Sequence, residues 1–309
     1  MASNKPYNII VILGPTTSGK TRLAAKVAHL LNIEIISADS RQVYKGMNIG
    51  TGKDLDEYIV NDKQIAFHLI DIVDAGSDYN LNDYINDFKI AFETITTKNT
   101  IPILCGGTGL YIDAILNGFE YTGVPVNEIL RNELHSKTLE ELQQQFSELP
   151  ATSYHNIADT STHKRMARAI EIATWLNENK DVPTSSLPKL QPIVFGLSGK
   201  LETRRNRIAK RLKHRLDNGL IEEVQTLLTD GVSQEKLIFY GLEYKFVIQY
   251  LKKEIDYDYL VEHLTIAIQQ FAKRQMTYFR KMERAGLKIN WMDAEWSLEQ
   301  QLEFVKELL

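Results

Sequence analysis

The chain has 309 residues, of which 43% are hydrophobic and 25% charged, with a net charge of −4. This balance predicts one large or two moderate domains with hydrophobic cores, and it confines any polyanion site to a local patch. The single cysteine, Cys105, lies in an apolar run and is expected in the core, which excludes a disulfide framework. No apolar run approaches the roughly 20 residues of a membrane span, so a soluble cytoplasmic protein is expected.

The first predicted elements are a strand, a glycine-rich loop and a helix. Residues 8–13 are apolar and β-branched, as in a buried parallel strand, and apolar residues recur at helical spacing from Leu23 to Leu31. Loop N–H groups and the helix N-terminus would face an anion, Lys20 would reach its outer oxygens, and Thr21 would ligate Mg²⁺. The loop between them fits the phosphate-binding template G-x-x-x-x-G-K-[ST] and comprises Gly14, Pro15, Thr16, Thr17, Ser18, Gly19, Lys20 and Thr21.

The rest of the chain predicts an α/β fold with a helical insertion. Further apolar runs at residues 33–37, 66–72, 101–105 and 192–197 alternate with helical stretches, which is typical of a mostly parallel sheet like that of P-loop NTPases. Residues 119–189 lack this alternation, and 127–149 and 162–179 have helical patterns. We therefore expect a core from residues 1–118 and 190–309, the second part helical and basic with a last edge strand at 287–292.

The ends of the first, second and fourth predicted strands should face one crevice, because the carboxyl ends of parallel strands share one edge of a sheet. Asp39 follows the second strand and suits a Mg²⁺ partner or a general base about as well as a helix N-cap. Asp71 also ends an apolar run and competes for the same role. Thr108 follows the fourth strand in a Gly-Gly-Thr-Gly segment, where glycines would let the backbone approach a ligand or form a plain tight turn.

Two basic helical segments, residues 199–215 and 271–288, carry far more lysine and arginine than acid. One such segment is usually a solvated helix face, but two in an acidic protein favour a polyanion partner. A third basic cluster, which includes Lys164, Arg165 and Arg168, opens the second helix of the insertion.

The chain carries six motif segments, at residues 14–21, 35–53, 67–74, 102–118, 215–224 and 271–280. Together they resemble the tRNA dimethylallyltransferases, of the bacterial type without a zinc-finger extension, over residues 8–292. The resemblance implies transfer of a dimethylallyl group from dimethylallyl diphosphate to the exocyclic amine of the adenine 3′-adjacent to the anticodon, with release of diphosphate. It also implies Mg²⁺ as cofactor, the anticodon stem-loop of tRNAs reading U-initial codons as partner, and a monomer in the cytoplasm. The segments are GPTTSGKT, IISADSRQVYKGMNIGTGK, FHLIDIVD, PILCGGTGLYIDAILNG, RLDNGLIEEV and FAKRQMTYFR.

The resemblance assigns residue roles as well. The phosphate loop would hold the donor's diphosphate, Asp39 would act as general base, and Thr108 would share in catalysis. The two basic helices would hold the anticodon arm. Contacts with tRNA are implied for Asp39, Ser40, Arg41, Gln42, Thr108, Arg131, Lys164, Arg165, Met166, Ala167 and Arg168.

The sequence departs from the family pattern at Leu201, Glu243 and Gln269. A divergent paralogue with shifted tRNA specificity is therefore one alternative. A P-loop kinase of a small metabolite is another, and an RNA-binding protein with a decayed phosphate site is a third.

Overall fold

A computed structural model describes residues 6–179 and 187–309. The chain divides into two compact units, a larger one formed by Met1–Asn117 with Pro188–Leu309 and a smaller one formed by Gly118–Leu187. Among the described residues, no helix has the length and apolar character needed to cross a membrane.

The larger unit is built on a six-stranded sheet in which every neighbouring pair of strands is parallel. The strands among the described residues of this unit, six in this sheet and two outside it, are β1 (Ile9–Leu13), β2 (Ile35–Ser37), β3 (Ile59–Val60), β4 (Lys63–Gln64), β5 (Phe67–His68), β6 (Ile103–Gly106), β7 (Pro192–Ser198) and β8 (Asn290–Asp293). The sheet order is β5-β2-β6-β1-β7-β8, while β3 and β4 form a separate hairpin. All five residues of β1 are buried at the centre, as its continuous apolar run predicts.

Twelve α-helices lie in the described parts of the chain. They are α1 (Lys20–Leu31), α2 (Leu81–Thr96), α3 (Gly109–Asn117), α4 (Glu128–His135), α5 (Leu139–Glu148), α6 (His163–Glu178), α7 (Leu201–Asp217), α8 (Leu220–Thr229), α9 (Gln234–Tyr240), α10 (Leu242–Leu251), α11 (Tyr257–Arg284) and α12 (Leu298–Leu308). Helix α1 ends where its apolar spacing stops, at Asn32, which adopts the left-handed conformation with φ 53°. The α/β class with a mostly parallel sheet is confirmed.

Two of the hydrophobic cores formed by the described residues position many elements of the larger unit. On one face of the sheet, Leu23 and Val27 of α1 pack with Ile10 and Ile12 of β1. The second core joins helices α7 to α11 to the segment that follows β2, through residues that include Val43, Tyr44, Ile208, Leu212, Val224, Leu264 and Ala272. Burying a side chain of this size stabilises the fold by about 1.5–3 kcal/mol. The segment after β2 is therefore fixed by the helical region.

Several elements differ from the sequence prediction. The strand expected at 66–72 ends at His68, because Leu69 and Asp71 take left-handed conformations with φ 62° and 55°. The helix expected over 127–149 is two helices, α4 and α5, because Thr138 begins a new helix with a capping box that includes Glu141. The β3–β4 hairpin and α12 were not predicted.

The smaller unit contains α4, α5 and α6. Its core is small and consists of Leu134, Leu142, Met166 and Ile170, with partly buried neighbours around them. Glu171 is also buried in this unit, with an exposed fraction of 2%.

Candidate active site

A cavity of about 910 Å³ opens at the carboxyl ends of β1, β2 and β6 in the larger unit. The phosphate loop after β1 lines it from Thr16 to Thr21, Asp39 lines it after β2, and Thr108 lines it after β6. The prediction that these three strand ends face one crevice is therefore confirmed.

The phosphate loop has the conformation that an anion site requires. Gly19 has φ 84° and caps α1, so the free N–H groups of the first helical turn point to the cavity side of the loop. A Cβ atom on Gly14 would lie 2.7 Å from the Ser18 hydroxyl. Within the part of the chain that the structure describes, the buried hydroxyls of Thr17 and Ser18 have no hydrogen-bond partner. Such orphaned hydroxyls suit a phosphate-bearing ligand.

Gln275 of α11 joins the phosphate loop to the segment after β6. Its Oε1 atom accepts a hydrogen bond from the Thr16 backbone N–H at 2.9 Å, and its Nε2 atom donates to the Gly107 carbonyl oxygen at 2.9 Å. The side chain is 7% exposed. No role was predicted for Gln275 from the sequence, although one polar position within the buried stripe of α11, between Ala272 and Phe279, is the signal that marks it.

Asp39, Ser40 and Thr108 are held together. The Thr108 hydroxyl oxygen accepts the Ser40 backbone N–H at 3.0 Å, and the Thr108 backbone N–H donates to the Ala38 carbonyl oxygen at 3.1 Å. One carboxylate oxygen of Asp39 accepts the Arg41 N–H at 3.0 Å, which turns the chain and leaves the other oxygen for the cavity. Thr108 therefore fixes the segment that carries the acid.

The next two residues differ in what they offer a ligand. The guanidinium carbon of Arg41 lies 5.4 Å from the centre of the Phe239 ring on the cavity wall. Gln42 is 8% exposed, and its amide accepts from the Ser37 hydroxyl at 3.1 Å and donates to the Gly52 carbonyl at 3.2 Å. Gln42 lines the cavity, but its amide is already engaged in fixing the neighbouring loop.

The glycine-dense loop of residues 46–53 is held on two sides. The Glu223 carboxylate accepts three consecutive backbone N–H groups, from Asn48, Ile49 and Gly50, at 2.6–2.9 Å. A Cβ atom on Gly52 would overlap the Arg215 guanidinium. The glycines here allow close packing against helices.

Asp71, the rival of Asp39, belongs to a different cluster. Its carboxylate pairs with Lys53, whose ammonium also donates to the Tyr44 carbonyl at 2.7 Å and to Asn48 Oδ1 at 2.9 Å. Lys53 is 1% exposed. Of these two acids, Asp39 lines the cavity and Asp71 does not.

Arginines from one face of α7 form the cavity wall opposite the strand ends. Arg211 donates to the Thr16 hydroxyl at 3.3 Å and pairs with Asp54. Arg215 lies 3.6 Å from the Glu243 carboxylate, and both side chains are largely buried. Burial raises the pKa of Glu243, although Arg215 opposes this rise. Glu243, where the sequence departs from the family pattern, therefore places a carboxylate on this wall. The arginines of this wall face both the cavity and the phosphate loop.

The donors for a divalent metal are sparse. No cluster of three or more histidine, cysteine or acidic side chains that would suit a metal occurs within residues 6–179 and 187–309. Mg²⁺ needs no such cluster, because it is usually held by one or two protein groups, waters and substrate phosphates. Thr21, in the first turn of α1 and on the cavity surface, fits that limited role.

In the smaller unit, the predicted tRNA-binding residues separate into two groups. The side chain of Met166 is 2% exposed, and that of Ala167 is partly buried against the same core. Contact of these two residues with tRNA stays a prediction. Lys164, Arg165, Arg168 and Arg131 carry the charged atoms, and Arg165 pairs with Asp159 at 3.0 Å.

Fold and site together define an α/β protein of the phosphate-loop class. Residues 42–282 match the IPP transferase family and residues 7–72 match the isopentenyl transferase family. The tRNA dimethylallyltransferase 2 of Bacteroides fragilis is 48% identical over 303 residues, 98% of each chain. The tRNA dimethylallyltransferase 1 of Azobacteroides pseudotrichonymphae is 49% identical over 287 residues, 93% of each chain. The crystal structure of the Bacillus halodurans tRNA isopentenylpyrophosphate transferase superposes with a TM-score of 0.71 at 26% identity, covering 98% of this chain and 95% of that chain.

The chain therefore belongs to the IPP transferase family, as its motifs predicted. The comparisons do not favour a small-metabolite kinase or a divergent paralogue.

Proposed function

We propose that this chain is a tRNA dimethylallyltransferase that acts in the cytoplasm. It transfers a dimethylallyl group from dimethylallyl diphosphate to the exocyclic amine of the adenine 3′-adjacent to the anticodon, in tRNAs that read U-initial codons. The supporting observation is that one cavity brings together Asp39, Thr108 and a phosphate loop with two hydroxyls that have no partner among the described residues. Such a cavity has room for a leaving diphosphate beside a proton acceptor.

The phosphate loop binds the diphosphate of the donor. Backbone N–H groups, Lys20 and the hydroxyls of Thr17 and Ser18 neutralise the charge that develops as the allylic carbon–oxygen bond breaks. Gln275 holds the loop in place through Thr16. Mg²⁺ held at Thr21 would supply further charge neutralisation when it is bound.

Asp39 accepts the proton of the attacking amine. The amine nitrogen forms a bond to the allylic carbon, the carbon–oxygen bond breaks, and diphosphate leaves with the electron pair of that bond. The adenine lone pair is delocalised into the ring, so a base at the amine proton accelerates attack by about 10²–10⁴-fold. Thr108 positions the turn that carries Asp39 through its contacts with Ser40 and Ala38.

The target adenine must leave its stack to reach a cavity, which costs a few kcal/mol and costs least in a loop. Asp39, Ser40, Arg41, Gln42 and Thr108 would contact this base and its neighbours. On the smaller unit, Arg131, Lys164, Arg165 and Arg168 would contact tRNA phosphates.

The test is incubation of the purified protein with dimethylallyl diphosphate, Mg²⁺ and bulk tRNA, followed by mass spectrometry of the nucleosides. We expect prenylated adenosine without any requirement for ATP. Consumption of ATP by a small acceptor, with no change in tRNA, would overturn the proposal.

A further inference from the structure

Glu171 is a buried charge in the smaller unit. Among the described residues, only Glu171 and Lys53 are charged and more than nine-tenths buried. An ionised carboxylate in such a place needs strong partners, because transfer from water costs several kcal/mol. Glu171 lies on the buried side of α6, next to Ile170 and Ile172.

Two arginines share this carboxylate. Arg131 of α4 binds it in a two-point arrangement, with Nε 3.1 Å from Oε1 and Nη2 3.1 Å from Oε2. Arg168 of α6 donates from Nη1 to the same Oε2 atom. The backbone N–H of Asn127 donates to Oε1 at 2.6 Å, which ties the start of α4 to the carboxylate as well. Each oxygen of Glu171 therefore faces two nitrogen donors.

This arrangement leaves the two guanidinium groups adjacent and partly exposed. The side chain of Arg131 is 39% exposed and that of Arg168 is 27% exposed. A further bond from Arg168 Nη2 to the Val124 carbonyl oxygen, at 2.7 Å, fixes the second arginine. Arg131, Arg168 and Glu171 together keep one net positive charge at the surface. The two guanidinium groups present their N–H donors in a forked geometry that suits phosphate oxygens.

We propose that Glu171 is a positioning residue for tRNA, which holds Arg131 and Arg168 side by side as one phosphate-binding pair. The inference rests on the proposed function, because it requires that the smaller unit binds tRNA. Two free arginines would repel each other and move among many rotamers, so the pair would bind a phosphate only after paying that ordering cost.

The direction in which one substitution changes the KM for tRNA separates a positioning role from a purely electrostatic one. Glu171→Gln removes a negative charge, and electrostatics alone therefore predicts tighter binding of a polyanion. Positioning predicts the opposite, a rise of about tenfold in the KM for tRNA, because one carboxylate oxygen becomes an NH2 group that faces N–H donors and the arginines lose part of the acceptor that orders them. The kcat and the KM for dimethylallyl diphosphate should change little.

Glu128→Gln is the matched control. Glu128 is 76% exposed and lies 4.0 Å from Arg131 Nη1, so its substitution makes the same charge change beside the same arginine without removing the buried acceptor. We expect an unchanged or slightly lower KM for tRNA in this variant.

The experiment measures steady-state prenylation of an anticodon stem-loop RNA by the full chain, its variants and the Arg131→Ala/Arg168→Ala double variant. In the double variant, adding Glu171→Gln should have no further effect on the KM for tRNA. An equal effect in both backgrounds, or a lower KM in Glu171→Gln, would overturn the inference. If Glu171→Gln does not fold, Arg131→Lys tests the same point at constant charge, since lysine cannot make the two-point contact, and an unchanged KM would refute positioning. A wild-type protein that prenylates no RNA would instead refute the proposed function.

Discussion

The two units use arginine differently. In the larger unit, Arg211 and Arg215 each have a carboxylate of their own, Asp54 and Glu243, on the wall of a deep cavity. In the smaller unit, two partly exposed arginines share the one buried carboxylate of Glu171. Arginines that are each paired with one carboxylate favour a small ligand that makes its own contacts with the phosphate loop. Two arginines that share one carboxylate keep a net positive charge and favour a polymer of phosphates.

If this comparison is correct, the reaction takes place in the cavity. Substitution of Asp39 is the strongest test of that conclusion. Asp39→Asn keeps the hydrogen bond from the Arg41 N–H but removes the base. We expect kcat to fall by about 10²–10⁴-fold with little change in the melting temperature.

Asp71→Asn is the control for Asp39→Asn. Asp71 pairs with the buried Lys53, so this change should lower the melting temperature. The activity of the protein that stays folded should change much less. A folded Asp39→Asn enzyme with normal kcat would refute the role of the base. Stopped-time prenylation assays and thermal unfolding measure both quantities.

Gln275 tests whether the loop geometry depends on a distant helix. Gln275→Ala removes both bonds that join the phosphate loop to the segment after β6. We expect the kcat/KM for dimethylallyl diphosphate to fall by up to about 10²-fold, because misplacement of a reacting group by about 1 Å costs that much. The KM for tRNA should stay within about twofold, which steady-state assays with each substrate varied would check. A larger effect on tRNA than on the donor would contradict the division of labour between the units.

Salt dependence sharpens the contrast between the arginine groups. Binding of tRNA should weaken steeply as salt rises, and Arg131→Ala should reduce the slope of log Kd against log salt by about one. Lys236→Ala, which removes a surface cation paired with Asp78, is the control and should leave the slope nearly unchanged. Filter binding at a series of salt concentrations measures it. An affinity that does not vary with salt would remove the phosphate-binding role of these arginines.

The smallest expected effect is a pH dependence in the cavity. Burial, and then the neighbouring Asp54, raises the pKa of Glu57, which lines the cavity near Lys20. As the pH falls through this raised pKa, Glu57 becomes neutral and no longer repels the donor diphosphate. As the pH falls, the KM of the wild type for the donor, divided by that of Glu57→Gln, should therefore fall by a few-fold. This effect is on the order of one charge–charge interaction in a partly hydrated site. Identical pH profiles of the donor KM for the two proteins, measured down to the lowest pH at which both stay folded, would contradict this.

Local signals in the sequence predicted the phosphate loop and its neighbours well. Gly14 to Thr21 stand between a buried strand and an amphipathic helix, and Asp39 and Thr108 follow strands whose carboxyl ends must meet. The break between α4 and α5 was also visible as a Thr-x-x-Glu capping signal at Thr138, which the helical spacing on either side obscured.

Partners distant in sequence could not be predicted in this way. Gln275 contacts Thr16 across 259 positions, and Glu171 contacts Arg131 across 40. Nothing in the local pattern names the partner, since the contact depends on how whole helices pack. A polar residue inside an apolar helical stripe shows only that a partner must exist.

The burial of Lys53 has a practical consequence for following the state of this protein. Its amine is sealed between Tyr44, Asn48 and Asp71, so reagents that acylate surface lysines should leave it unmodified in the folded chain. Its rate of covalent labelling, read by peptide mapping, would report how often the loop next to the cavity opens, without any need for substrate turnover.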